Sequence, residues 1–235
     1  NSSSVAEKLR MLSYMTPASP SNVRKEYVWE ERESSYLKGN DEVRDLASLT
    51  ATWNSARTPR EYMNTIQPVI YEMYLAELRI LSEEYIAEAL KKKGIPYADI
   101  SASHATSLQT SGDETFSVSV HVAHKDFPEA VRTVSEVMGA IDAGRTDMND
   151  LSRVRHICMD HVRNNSNEPT FSNAEYVDRC IAAFLYNGSL ATVNTKFNFL
   201  AGRQLADTTD LRLFNNISSA LLDPGKNLTV SYTSD

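Results

Sequence analysis

Two cysteines in 235 residues, Cys158 and Cys180, are too few for a disulfide scaffold or a cysteine-built zinc cluster. Both fall on the apolar side of an expected helix, so the spacing predicts two buried thiols. No run of about 18 apolar residues occurs, and so no helix is expected to span a membrane. Basic residues are the minority: 24 Lys and Arg against 31 Asp and Glu leave a net charge of −7. Binding to a phosphate backbone needs the opposite balance, which sets nucleic acid aside as a main partner. There is no G-x-G-x-x-G to hold a dinucleotide and no P-loop. There is no G-x-S-x-G, and neither cysteine has a local catalytic signature. Neither H-E-x-x-H nor H-x-x-E-H occurs. What is present is an ordinary globular composition, 41% hydrophobic and 23% charged, in a length that suits one large domain or two small ones.

The stretch from Glu114 to Val162 organises the chain. Phe116, Val118, Val120 and Val122 alternate with Thr115, Ser117, Ser119 and His121, the period of a strand with one buried face. Asp126, Pro128 and Glu129 read as a capping box with proline in the first turn. Val131, Val134, Met138 and Ile141 then make a helical stripe that ends at Gly144. Thr146 is the expected cap of the next helix, which carries Leu151, Val154, Cys158 and Val162 on one side.

Before this stretch, NSSSVAEKLRMLS reads as a short helix entered from something upstream, and residues 15–25 as a Pro- and Ser-rich linker. The chain is therefore expected to be cut from a longer one, with residues 1–25 left from an upstream domain and 26–235 a single domain. The charged run Glu30–Glu33 suits a solvated edge or turn. Leu46–Trp53 reads as a strand. Thr58, Pro59 and Glu61 look like a helix start, followed by an apolar stripe of Tyr62, Ile66, Val69, Ile70, Met73, Tyr74 and Leu78. Ser82-Glu83-Glu84 suits a fresh N-terminus, so a break is expected there. Three lysines and Gly94 end the second part as cations and a left-handed glycine should. Ile95–Leu108 reads as a strand joined through Ser111-Gly112-Asp113 to the next as a hairpin. Downstream, Ser172 and Glu175 open a helix with Val177, Cys180, Ile181, Phe184 and Leu185, stopped by Asn187-Gly188. A further helix spans 190–203. Thr208–Leu222 is helical with Leu211, Phe214, Ile217 and Leu221 inside, and Leu228, Val230 and Tyr232 form a last strand. An antiparallel hairpin with helices gathered after it predicts an α+β fold: a mostly antiparallel sheet with helices packed on one face.

The five histidines do not converge in this reading. His121 and His124 lie three apart at a strand end and point to opposite faces, and His156 and His161 lie five apart on a helix and diverge. Zinc needs convergent ligands, so surface histidines are the expectation. Asp41-Glu42 and Glu83-Glu84 read as solvated carboxylate pairs.

This order of elements resembles the second, non-catalytic domain in one half of an insulinase- or pitrilysin-like zinc metallopeptidase, a mitochondrial-processing-peptidase-like fold. The likeness runs over nearly the whole chain. LASLTATW after the acidic pair Asp41-Glu42, then Thr58-Pro59-Arg60-Glu61-Tyr62 with its long helix, carry part of it. The block from His124 to Val162, SNAEYVDRCIAAFLYNG, and the ending TTDLRLFNNISSALLDPGKNLTVSY carry the rest. The resemblance implies a parent protein with zinc held by H-x-x-E-H in another domain, where a metal-activated water attacks a peptide carbonyl. It implies no catalytic residue, metal or cofactor in this chain. The partners it implies are the remaining domains of the same polypeptide and a peptide substrate added as a strand beside the sheet. Some members use an Arg and a Tyr seven residues apart to hold the peptide. Tyr97 falls on that tyrosine, but Leu90, with Lys91 beside it, stands where the Arg would be. Tyr97 is thus a candidate substrate contact, with a core or hairpin role as the alternative. Relatives of this type in bacteria with envelopes are often exported, so a periplasmic location is implied. Two other readings stay open. One is a scaffold or assembly protein that kept the fold and lost the metal. The other is an unrelated α+β ligand-binding domain, which requires an enclosed apolar pocket and no large exposed apolar face.

Overall fold

The structure is a computed structural model that describes Glu7, Arg10, and residues 30–39, 45–106, 113–166, 173–186, 189, 191, 193–203 and 205–233. Glu7 and Arg10 are helical. The rest of the expected N-terminal helix and linker lies outside the described residues, as do Ser111-Gly112, the Ser172 cap and the Asn187-Gly188 stop.

Five strands make one sheet: β1 Ser35–Gly39, β2 Ala47–Ala56, β3 Tyr97–Thr106, β4 Asp113–Val122 and β5 Leu228–Thr233. Their order is β1-β5-β2-β4-β3. Every neighbouring pair is antiparallel except β1 with β5. The helices are α1 Gln67–Lys92, α2 Phe127–Asp142, α3 Met148–Ser166, α4 Asn173–Tyr186, α5 Val193–Leu200 and α6 Thr208–Leu221. The period-2 pattern of residues 115–122 becomes β4, with Phe116, Val118, Val120 and Val122 buried. Trp53 meets Phe116 across the β2–β4 pair, and Leu78, Leu81, Ile86, Met138, Ile141 and Phe214 from α1, α2 and α6 close over them. Each such side chain contributes about 1.5–3 kcal/mol on burial, which ties the helices to this one face. The fold is the expected α+β layer pair.

Several local expectations shift. Thr58-Pro59-Arg60-Glu61 makes only a 3₁₀ turn at Arg60–Tyr62, and α1 starts at Gln67. Pro68 decides this, because a proline has no N–H to give and fits a helix only in its first turn. Tyr62 and Ile66, outside the helix, are exposed. Nor does α1 break at Ser82, which is fully buried inside an unbroken helix of 26 residues. No proline or glycine interrupts it after Pro68, and the acidic pair finds tertiary partners instead of a helix start. Gly94, at φ 70°, ends α1 in the left-handed region after Lys91 and Lys92 in its last turn.

Asp126 precedes α2 but makes no side-chain cap, because a 3₁₀ turn at His124–Asp126 runs straight into the helix. Glu129 pairs with Lys93 at 3.0 Å rather than completing a box. Asp147, not Thr146, caps α3, accepting from the N–H groups of Asn149 and Asp150 at 2.8 and 2.9 Å. Thr146 is buried. The irregularity in β3 is a register shift between Tyr97 and Asp99. Of the two thiols, Cys158 is buried and Cys180 exposed. On α4 the stripe Tyr176, Val177, Cys180 and Ile181 faces outward, so the expected burial of Cys180 is corrected. Amphipathic spacing marks a face that wants cover, and does not say whether this stretch of chain supplies it.

Candidate functional site

The sheet has two unlike faces. The pleat that turns Phe116 and Val118 toward the helices turns Ser117 and Ser119 away from them. Register then lines up hydroxyl residues across the strands. One row runs Ser35, Thr229, Thr52, Ser117, Ser103, and the next runs Leu37, Ser231, Thr50, Ser119, Ser101. Thr50 and Ser119, and Thr52 and Ser117, hydrogen-bond across the strands at 2.9 Å in each pair. A third row adds Thr233, Ser48, His121 and Asp99, with His121 Nδ1 4.0 Å from Asp99. An outward sheet face usually carries long charged side chains. Here short neutral hydroxyls leave the central surface low and uncharged, and each hydroxyl is both a donor and an acceptor.

Tyr97 stands at the start of the edge strand β3, paired with Val122 and 43% exposed. A core role is thereby removed. The edge itself is partly closed: the Glu83 carboxylate on α1 accepts the N–H of Ala102 at 2.8 Å. One donor that an added strand would need is already taken.

Among the described residues no three His, Cys, Asp or Glu side chains come together to hold a metal. His156 sits beside Asp160 at 3.4 Å on the open surface of α3. His104 Nε2 faces the buried Glu114 carboxylate at 3.5 Å. The donor set for the zinc that the resemblance implies for the parent does not fit here, and no hydrolytic step is assigned to these residues. Between α1, α3 and α5 lies an open groove of about 380 Å³, with Met73, Ile80, Ile157 and Val162 in its walls. Burial pushes the Cys158 thiol at its edge up to about 12, so it carries no thiolate at neutral pH.

Sequence reasoning missed one cluster. Glu77 of α1, Arg155 of α3 and Asp210 of α6 are buried together. The Arg155 guanidinium bonds both oxygens of Glu77 and reaches Asp210 at 3.2 Å. Tyr74 donates to Asp210 at 2.8 Å and lies under the guanidinium at 5.6 Å. Arg203 reaches Asp210 at 3.2 Å from the rim. Burial pushes the Glu77 carboxyl up to about 7, outweighing Arg155. Burial acts the same way on Asp210, but the Tyr74 hydrogen bond and the Arg155 charge overcome it and hold Asp210 below its usual range. A visible signal existed: Tyr74, Glu77, Leu78 and Leu81, and again Leu151, Val154, Arg155 and Cys158, follow i, i+3, i+4, i+7 spacing. A charge inside an apolar stripe needs a buried partner.

No protein-family model and no curated protein matches this sequence. Solved structures do. The first half of the periplasmic protease PqqL from Escherichia coli superposes with TM-score 0.72 at 10% identity, covering 100% of this chain and 49% of that one. A predicted insulinase family protease from Yersinia pestis gives 0.67 at 10% identity, over 98% of this chain and 49% of the other. A peptidase M16 inactive domain from Pseudomonas fluorescens gives 0.63 at 11% identity, over 100% and 51%. The chain thus spans about half the length of each. The family likeness carried by the succession of elements is found in the fold, and at such identities it establishes the fold alone.

Proposed function

We propose that this chain is a non-catalytic, chamber-forming domain of a longer insulinase-like zinc metalloendopeptidase, with the zinc and the peptide-cleaving groups on other domains of the same polypeptide. The observation that carries the reading is the hydroxyl-paved sheet face, set in a fold that resembles part of longer peptidase chains. A chamber wall must hold peptides of many sequences without selecting among them. Neutral hydroxyls offer hydrogen bonds to any backbone and repel neither sign of charge. Tyr97, exposed at the start of the edge strand β3, is the proposed substrate contact.

The outward apolar stripe on α4 and the open groove favour this reading over a self-contained ligand-binding domain, which would keep its apolar surface for itself. Those surfaces are proposed to meet the remaining domains. Export to a periplasm is part of the same proposal, supported by the likeness to a periplasmic protease; among the described residues no helix is long and apolar enough to cross a membrane.

A photo-crosslinking residue at Ser119 in the full-length gene product should capture a bound peptide, and one at Arg79 on the helical side should not. Capture at Arg79 and none at Ser119 overturns the reading. So does peptide cleavage by this chain alone that a chelator abolishes. An H-x-x-E-H elsewhere in the gene product separates an active parent from a metal-free scaffold.

A further inference from the structure

The turn end of the β3–β4 hairpin borders a second cavity, of about 220 Å³, on the helical side of the sheet. It opens to the surface and is lined by Arg57 and Thr58 after β2, by Tyr71 and Glu72 of α1, by His104 and Glu114 of the hairpin, and by Lys196 of α5. Glu114 occupies a core-facing position of β4, where the alternation otherwise places Phe116 and Val118. Its side chain is only 8% exposed, and its Oε2 accepts no hydrogen bond. His104 Nε2, 3.5 Å away, likewise has no hydrogen-bond partner. A buried carboxylate oxygen without a donor is costly, and it persists where something else supplies that donor.

The lining also carries the Lys196–Glu72 ion pair. An ammonium has three N–H donors, so Lys196 can hold Glu72 and a second carboxylate at once. Charges on the walls balance, with Lys196 paired to Glu72 and the Arg57 charge acting on Glu114. A net cation or anion would leave one side uncompensated, whereas a dipolar molecule of zero net charge satisfies both. Two carboxylates and one imidazole spread over such walls do not make a metal site, in keeping with the lack of any such cluster among the described residues. The volume lies below the range of drug-sized pockets and suits a few heavy atoms.

We propose that this cavity binds a small zwitterion of free amino acid or dipeptide size, its ammonium on Glu114 and its carboxylate on Lys196. Burial raises the Tyr71 phenol, and the Glu114 charge raises it further, so the aromatic wall stays neutral beside the ammonium. The site stands on its own chemistry, whatever the parent protein does.

The test titrates the 235-residue chain with alanine, with dialanine, and with N-acetyl-alanine amide, following backbone amide shifts by NMR. Saturable binding of alanine or dialanine, with shifts at His104 and Glu114 and none with the capped compound, supports the proposal. Which of the two binds identifies the source. Glu114→Gln, of the same shape, should weaken binding at least about tenfold. Lys196→Met, at a partly exposed position, gives the same readout if Glu114→Gln does not fold. Equal binding of the capped compound, unchanged affinity in both variants, or no shifts at millimolar ligand overturns it.

Discussion

The two faces of one sheet solve opposite problems with the same strands. Toward the helices, β2 and β4 present Leu49, Trp53, Phe116 and Val118, and behind that layer a buried Glu77–Arg155–Asp210 cluster knits α1, α3 and α6. Away from the helices, β2 and β4 contribute only Ser and Thr to the two central rows, and no ionised group lies in those rows. Charge is thus found deep inside and is missing from the middle of an outward surface, the reverse of the common distribution. Buried ions hold only when every partner is present, so the helical side is brittle. Neutral hydroxyls lose little when one is removed, so the other side tolerates change and is free to serve contact.

Breaking the brittle side gives the largest effect. Arg155→Met leaves two carboxylates buried without their cation, and the chain should lose about 3–5 kcal/mol in urea denaturation, or fail to accumulate in soluble form. A loss below about 1 kcal/mol would mean that water or Arg203 already compensates the pair. Next comes the pH dependence. Above the unfolded value of 4.5, unfolded Glu77 releases its proton, while folded Glu77 keeps it to about 7. Unfolding therefore releases a proton in that window, and stability falls as pH rises from 4.5 toward 7, by up to roughly 3 kcal/mol from this group. Asp210, held low, acts in the opposite sense at more acid pH, its contribution being lost as pH falls. Glu77→Gln should flatten the decline, and a variant that retains the full slope removes Glu77 as its origin.

A smaller effect sits at the sheet edge. Glu83→Ala frees the N–H of Ala102 and should cost about 1 kcal/mol. It should also raise self-association in sedimentation, because a ten-residue edge strand without lysine or proline regains a donor. A strictly monomeric variant would show that the edge is guarded by something else. The smallest effect belongs to the hydroxyl face: Thr52→Val keeps the strand shape and loses one cross-strand bond, about 0.5 kcal/mol. A loss of 2 kcal/mol or more there would erase the contrast between the faces.

Much of the fold was legible because it rests on short-range periodicity. The alternation in β4, the Gly94 and Gly144 stops and the α6 stripe all follow from spacing within a few turns. Helix starts were less legible. The boxes expected at Thr58 and Asp126 do not form, because Pro68 sets the start of α1 and a 3₁₀ turn runs straight into α2. The Glu77–Arg155 pair joins residues 78 apart in sequence, and nothing local says which acid an arginine will meet. The Glu114 cavity was hidden for the same reason, since its walls come from four separate segments.

By itself, the sequence determined the layer architecture: period-2 and period-3.6 burial leaves few ways to cover one face of a hairpin-centred sheet. Only the tertiary structure decided which hydroxyls form rows, which charges are buried together and which apolar stripe remains outside. Those outcomes depend on strand register and helix docking, set by contacts between residues far apart along the chain, and no local pattern encodes such distances.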